Sequence, residues 1–516
     1  MKASMVYLLE FVHEYSNIMH LCNDLAYYMK LTIGEPVYSN SSKKNTFTML
    51  LDTGSSNAAV ATSSCCSKLS VHTYSCTSSS TCKSYNNGEQ VQVNYVIGSW
   101  TGNMVQDTFS SPNMSALPNI PFATITSQSN FLDGGFDGIL GMAYSSIAEP
   151  QNEPPMTMQE ALVSQNIIKD IFSLQLCGVL QPYVNGYLPT ADSGLIVLGG
   201  IQAPNTTAPY RGNIVYSPIV QKKWYVVLVT NMGYNGVSLN YSCSVYNTPK
   251  SIVDSGTSNL VVPTSVYTTL LSQIQAATLA AIPSFPLDYF SDSVACCESY
   301  CDPSDASSPL LSLPSITVSM ALDGNTKEHF TITIPPTYYW RPISASNGFT
   351  TSNCRIYGIS EGTGTMLGNV FMDGLHIIHD REHSQMGFAI ADNCANKANS
   401  SKTISITPIS TSWCDCIAST MKTDNLLSSY WPGSKPCFFW FWWDYVIIVA
   451  ACIIVFCGAI VVYLYIVKRI RRSRNASPPL QQTLLENTPS AILSSNSSDH
   501  ILIAQEEHRT AQGSKD

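Results

Sequence analysis

Two aspartates sit in matching surroundings, one in each half of this chain. Leu50-Leu51-Asp52-Thr53-Gly54-Ser55-Ser56-Asn57 and Ile252-Val253-Asp254-Ser255-Gly256-Thr257-Ser258-Asn259 share one pattern: an apolar pair, Asp, a hydroxyl residue, Gly, two more hydroxyl residues and Asn. Each apolar pair can end a strand, and the Gly lets the backbone turn tightly and approach a second loop closely. The hydroxyls of Thr53, Ser55, Ser255 and Thr257 can bond a carboxylate or the opposing loop without crowding it. Two carboxylates held a few Å apart cannot both ionise readily, so one keeps a proton well above its normal pKa. A base and an acid then stand side by side. One can deprotonate a water while the other polarises a carbonyl, chemistry that suits amide hydrolysis without a covalent intermediate. A single Asp-Thr-Gly usually closes a turn; two extended copies favour catalysis.

The elements that must position the aspartates can be read around them. Val91 to Gly102 alternates and is punctuated by Gly98 and Gly102, which predicts a hairpin. Phe136-Asp137-Gly138-Ile139-Leu140-Gly141 and Thr365-Met366-Leu367-Gly368-Asn369 are apolar-apolar-Gly segments, one downstream of each Asp motif. This duplication resembles the pepsin-like aspartic protease family, from about Tyr27 to about Cys416. The resemblance implies an all-β, bilobal fold with the cleft between lobes. It also implies that Asp52 and Asp254 are catalytic, with Thr53, Gly54, Ser55, Ser255, Gly256 and Thr257 in support. The hairpin becomes the flap, with Tyr95 closing over substrate and Trp100 placed to hydrogen-bond it. No metal or organic cofactor is implied, and the substrates are polypeptides.

Phe172-Ser173-Leu174-Gln175-Leu176-Cys177, Trp224-Tyr225, Ala59 and a C-terminal anchor resemble the membrane-bound β-secretase branch. By that resemblance Cys177 pairs with Cys394, Cys243 with Cys414 or Cys416, and Cys354 with one of Cys296, Cys297 and Cys301. The crowded Cys65, Cys66, Cys76 and Cys82 depart from the branch and predict small covalent loops in a Ser/Thr-rich stretch that lacks apolar residues. A second departure concerns specificity. Vertebrate-type members carry Arg shortly after the second motif, where this chain has Val261. Val261 offers only apolar surface, so an acidic substrate side chain would lose solvation there without gaining a partner.

Composition sets the frame. With 45% hydrophobic and 12% charged residues the chain can bury a large core, and its net charge of −9 does not invite nucleic acid. Seventeen cysteines and the sequons at Asn40, Asn113, Asn205, Asn240 and Asn399 point to a secretory lumen. Residues 1–26 read as a poor signal or pro-like start, 27–208 and 209–396 as the two lobes, and 397–444 as a polar stalk. Tyr445 to Val467 carries no charge and predicts a membrane helix, with an aromatic run before it. Lys468 to Arg474 is basic, which places the tail 468–516 in the cytoplasm and the protease in the lumen: a type I protein. The tail is polar, and Asp499-His500-Ile501-Leu502-Ile503 resembles an acidic dileucine signal for sorting adaptors. His376 and His379 share an apolar strand pattern and read as structural. Membrane-protein ectodomains are the expected substrates. Two alternatives remain: a tethered digestive protease of the cathepsin-D kind, and a silent receptor or adhesion protein on a protease scaffold. The second would be expected to lose an Asp, a motif Gly or the flap tyrosine, and all are present.

Overall fold

Short runs of β-branched and aromatic residues, interrupted by Gly, Asn and Pro, fold as strands because the pleated backbone packs branched side chains well. The Asn235-Gly236 turn shows the local logic. Both residues have positive φ, 54° and 74°, and the turn joins Val229–Tyr234 to Val237–Ser238 with Tyr234 opposite Val237. The computed structural model describes residues 7–12, 26–35, 45–96, 98–111, 114–132, 135–177, 191–202, 208–303, 305–346, 351–392, 402–424, 437 and 442–474. They belong to two units, Met1–Phe439 and Trp440–Asp516.

In the first unit one three-strand arrangement occurs twice. Thr46–Asp52 runs parallel to Gly138–Gly141, which pairs antiparallel with Ala58–Ala61. Ser251–Val253 runs parallel to Thr365–Leu367, which pairs antiparallel with Leu260–Pro263. The glycine ending each apolar segment is required by close approach. A Cβ at Gly141 would lie 2.5 Å from the Ser56 carbonyl carbon, and one at Gly368 would collide with the Thr257 and Asn259 carbonyls.

The two halves share one fourteen-stranded sheet. Its seam is the antiparallel pair Ile171–Leu176 and Leu375–Asp380, with Phe172 opposite His379 and Gln175 opposite His376. Six-stranded and five-stranded sheets complete the second half. The main core draws Leu51, Phe172, Tyr225, Val253 and Phe388 from both halves, and each fully buried side chain of this size contributes about 1.5–3 kcal/mol. The longest helix of this unit, Thr264–Ala281, buries Val266, Leu270, Ile274 and Thr278, one stripe at four-residue spacing.

The structure revises the sequence reading at both ends of this unit. Residues 1–26 read as a poor signal or pro-like start, yet they contribute a strand to the enzyme body. Tyr7–Val12 is an interior strand of the large sheet, paired with Ala191–Leu198 on one side and Tyr28–Ile33 on the other. The reading of 397–444 as a stalk is corrected for its described residues. Thr403–Pro408 adds a strand to Glu328–Ile334. Trp413 is buried and donates its indole N–H to the Asn325 carbonyl at 3.0 Å. Lys402 is buried too, donating to the Val370, Phe371 and Asp373 carbonyls at 2.9, 2.6 and 2.6 Å.

Covalently, Cys243 is bonded to Cys416, Cys414 to Cys437, Cys297 to Cys354 and Cys296 to Cys301. Cys65 is bonded to Cys66, and Cys76 to Cys82. Cys177 is disulfide-bonded, while Cys394 lies outside the described residues. Also outside them are the sequons other than Asn240 and the tail from residue 475.

In the second unit, Trp442–Arg474 is one helix, apolar along Val446 to Ile466 and ending in Arg471, Arg472 and Arg474. It is long and apolar enough to cross a membrane.

Candidate active site

Both aspartates end a buried strand and point from a tight loop toward each other's loop. Their immediate partners match. Asp52 Oδ1 accepts the Gly54 N–H at 2.7 Å and Oδ2 accepts the Ser55 hydroxyl at 2.5 Å. Asp254 Oδ1 accepts the Gly256 N–H at 2.8 Å and Oδ2 accepts the Thr257 hydroxyl at 2.6 Å. Thr53 and Ser255 lock the loops across the halves. Ser255 Oγ accepts the Thr53 N–H at 3.1 Å and donates to the Leu51 carbonyl at 2.7 Å. Thr53 Oγ1 accepts the Ser255 N–H at 2.9 Å and donates to the Val253 carbonyl at 3.1 Å.

Glycine is obligatory in both loops. A Cβ at Gly54 would run into the Asp254 carboxylate, and one at Gly256 into that of Asp52. Each motif glycine therefore lies directly against the opposing carboxylate. Both are buried, at 5% and 7% exposure. Burial first, and the Asp254 charge second, push the Asp52 carboxyl up to about 8, against the opposing pull of the Ser55 and Gly54 hydrogen bonds. Two buried carboxylates in one site share a proton rather than both ionise.

The predicted hairpin forms from Gln90–Asn94 and Ser99–Ser111, with Gly98 at φ 81° in its turn and Val96 exposed beside it. Trp100 is buried and donates its indole N–H to the Tyr95 hydroxyl at 3.2 Å. Burial and the nearby Asp52 charge push the Tyr95 phenol well above its usual range, so it stays neutral over the dyad. Val261 is buried on Leu260–Pro263, opposite Ser360 and Met366, with its side chain against Gly362. Thr257 Oγ1 also lies 3.8 Å from the Met366 sulfur, so the dyad loop and the Val261 strand share a neighbour.

Two features escaped the sequence reading. Phe131 stacks on Tyr95 with centroids 5.1 Å apart, and Phe136 then packs edge-on against Phe131. An aromatic residue in a loop gives no sign of such a contact. Lys250 places its ammonium 3.1 Å from the centroid of the Trp224 ring, and Asp254 is close enough to raise its pKa against the effect of burial. Among the described residues, no group of three or more His, Cys, Asp or Glu side chains could hold a metal ion.

Comparison with known proteins agrees with this geometry. A family model described as eukaryotic aspartyl protease matches residues 26–391. A β-secretase of Strongylocentrotus purpuratus is 33% identical over 394 residues, spanning 73% of this chain and 68% of that protein. Pepsin-2B of Gadus morhua and human gastricsin are each 26% identical over 373 residues, spanning 71% of this chain and 97% and 82% of theirs.

Proposed function

The chain belongs to the eukaryotic aspartyl protease family and is an aspartic-type endopeptidase of pepsin-like bilobal fold, and from that premise we propose that Asp52 and Asp254 are its catalytic pair. The observation that carries the assignment is the reciprocal bonding of Thr53 and Ser255, which clamps two oppositely placed carboxylates into one site. In the resting state the two carboxylates share one proton, and we propose that it starts on Asp52, whose carboxyl burial and the neighbouring charge push up. Asp254 takes a proton from water as the water oxygen attacks the peptide carbonyl carbon. Asp52 gives its proton to the carbonyl oxygen, forming a tetrahedral diol. When the C–N bond breaks, Asp254 returns its proton to the departing amine and Asp52 recovers one from the diol. Tyr95, held by Trp100 and Phe131, covers the reacting bond and excludes water.

The protease acts from a membrane. The helix Trp442–Arg474, with its basic end, supports a single-span, type I arrangement. Polypeptide ectodomains in the secretory or endosomal lumen are the substrates that such tethering brings within reach. The tail offers a place for sorting adaptors. Retention of both Asp residues, both motif glycines and Tyr95 argues against a silent receptor on this scaffold.

The test is turnover of a diverse peptide pool by the full chain in detergent micelles. Asp52→Asn and Asp254→Asn should each lower kcat by at least about 10³-fold while leaving a folded protein that still binds a hydroxyl-bearing transition-state mimic. Initial rates should fall as pH rises through the Asp52 pKa, since the acid is then lost. Undiminished turnover in either variant refutes the assignment.

A further inference from the structure

The seam strand Leu375–Asp380 carries two histidines that the chemistry of the dyad does not use. His379 is fully buried and stacked on Phe172 at 4.2 Å and 7°, with the Tyr225 ring edge-on at 4.5 Å. Neither of its ring nitrogens has a hydrogen-bond partner among the described residues. His376, also buried, stacks on Tyr210 at 5.2 Å, and its Nε2 lies 3.0 Å from the Ile201 carbonyl oxygen while Nδ1 has no partner among the described residues. Both sit in the register that joins the halves, opposite Phe172 and Gln175 on one side and Met386 and Ala389 on the other.

Among the described residues, the groups facing His379 offer no uncommitted anion to a charged imidazole. The cation that acts on His379 is Arg381, whose own carboxylates, Glu160 and Asp170, are engaged at 2.5 and 3.2 Å. Tyr225 and Tyr144 face His379 and Arg381 with phenols that burial pushes well up, and the Tyr144 ring stacks under the Arg381 guanidinium. By strand alternation Asp380 lies on the face opposite His379, the one that His376 shares, and there it is bonded by His383 and Gln385.

We propose that His376 and His379 form an acid-sensitive latch between the halves: protonation in acid loosens the Ile171–Leu176 and Leu375–Asp380 pairing and shuts the protease off. An imidazolium at position 379 would lie unhydrated beside Arg381 and His376. Attraction to the Phe172 and Tyr225 rings offsets only part of that loss. Burial already holds both imidazoles below their usual range, His376 at about 4. Burial also raises the Asp170 carboxyl, so acid strips a counter-charge from Arg381 as it charges the histidines. By linkage the raised Asp170 carboxyl favours the folded state in acid, so the histidines must outweigh it. The latch thus makes the protease one for mildly acidic compartments, with its own lower limit of pH.

The test compares the full chain in detergent micelles with His379→Phe and with the double variant His376→Phe/His379→Phe. Each is titrated from about pH 7 to about pH 3 while near-ultraviolet circular dichroism follows loss of tertiary packing. The double variant should move the acid midpoint down by about one pH unit and keep kcat/KM near neutrality within about twofold. An unchanged midpoint in folded variants overturns the proposal. Should the double variant not fold, hydrogen exchange on the wild type decides. Peptides covering 171–176 and 375–380 should lose protection at a higher pH than the Thr264–Ala281 helix, and protection retained until global unfolding overturns the latch.

Discussion

At the scale of single residues the sequence was most informative, because the dyad chemistry constrains residue types tightly. Asp52, Thr53, Gly54 and Ser55 and their counterparts are held together by matching hydrogen bonds that few other side chains could make, which supports the proposed pair. Specificity is also a residue-scale matter. Val261 is buried on the strand leading out of the second motif, so it can shape a pocket wall but not neutralise an acidic substrate. We expect Val to be preferred over Asp in the substrate side chain that reaches this wall, by roughly 5- to 150-fold in kcat/KM. Matched peptides assayed on wild type and Val261→Arg check it. The Arg variant should narrow or reverse the preference, and a wild type that already favours Asp would show that the wall is built differently. What could not be read were Phe131 and Lys250, whose roles arise from contacts between distant segments rather than from any local pattern.

At the scale of elements, legibility followed periodicity. The alternating stretch around Tyr95 gave the hairpin, and the two apolar-Gly segments gave the strands under each loop. The hairpin's grip on Tyr95 is one modest hydrogen bond, worth about 0.5–1.5 kcal/mol. Trp100→Phe should therefore reduce kcat/KM by about 2- to 12-fold with little change in thermal stability, and steady-state kinetics beside a thermal melt separates the two. The stretch after residue 397 misled because polar composition hides tertiary pairing. Its strand is mostly exposed, and what anchors it are Lys402, Trp413 and the Cys243–Cys416 bond. That bond spans a sequence separation of 173, so removing it frees a long loop in the unfolded chain, worth about 2–5 kcal/mol. Cys243→Ser/Cys416→Ser should lower the melting temperature by roughly 2–6 °C. A melt unchanged within error would mean that the strand and Trp413 hold the extension unaided.

At the scale of the whole molecule, two sets of buried groups pull the pH dependence in opposite directions. Asp52 has a folded pKa above its unfolded value of 3.8, so the stability it provides is complete at low pH and is lost as pH rises toward about 8. His376 and His379 have folded pKa values below 6.5, so their stability is complete above that pH and is lost as pH falls. His329, half-buried, adds in the same direction. As pH falls below about 6.5 the histidines therefore work against the stability that Asp52 provides. The chemistry has a different dependence, since the dyad needs only one proton shared between two carboxylates and keeps it in acid. Rate and survival should therefore separate. Initial rates measured at once in mild acid should remain high, while the same enzyme held there beforehand should lose activity progressively and lose it faster as pH drops. Progress curves started with and without an acid incubation, on the full chain in detergent micelles, make the distinction. Equal curves down to about pH 4 would mean that the seam tolerates charge, leaving the dyad alone to set the acid limit.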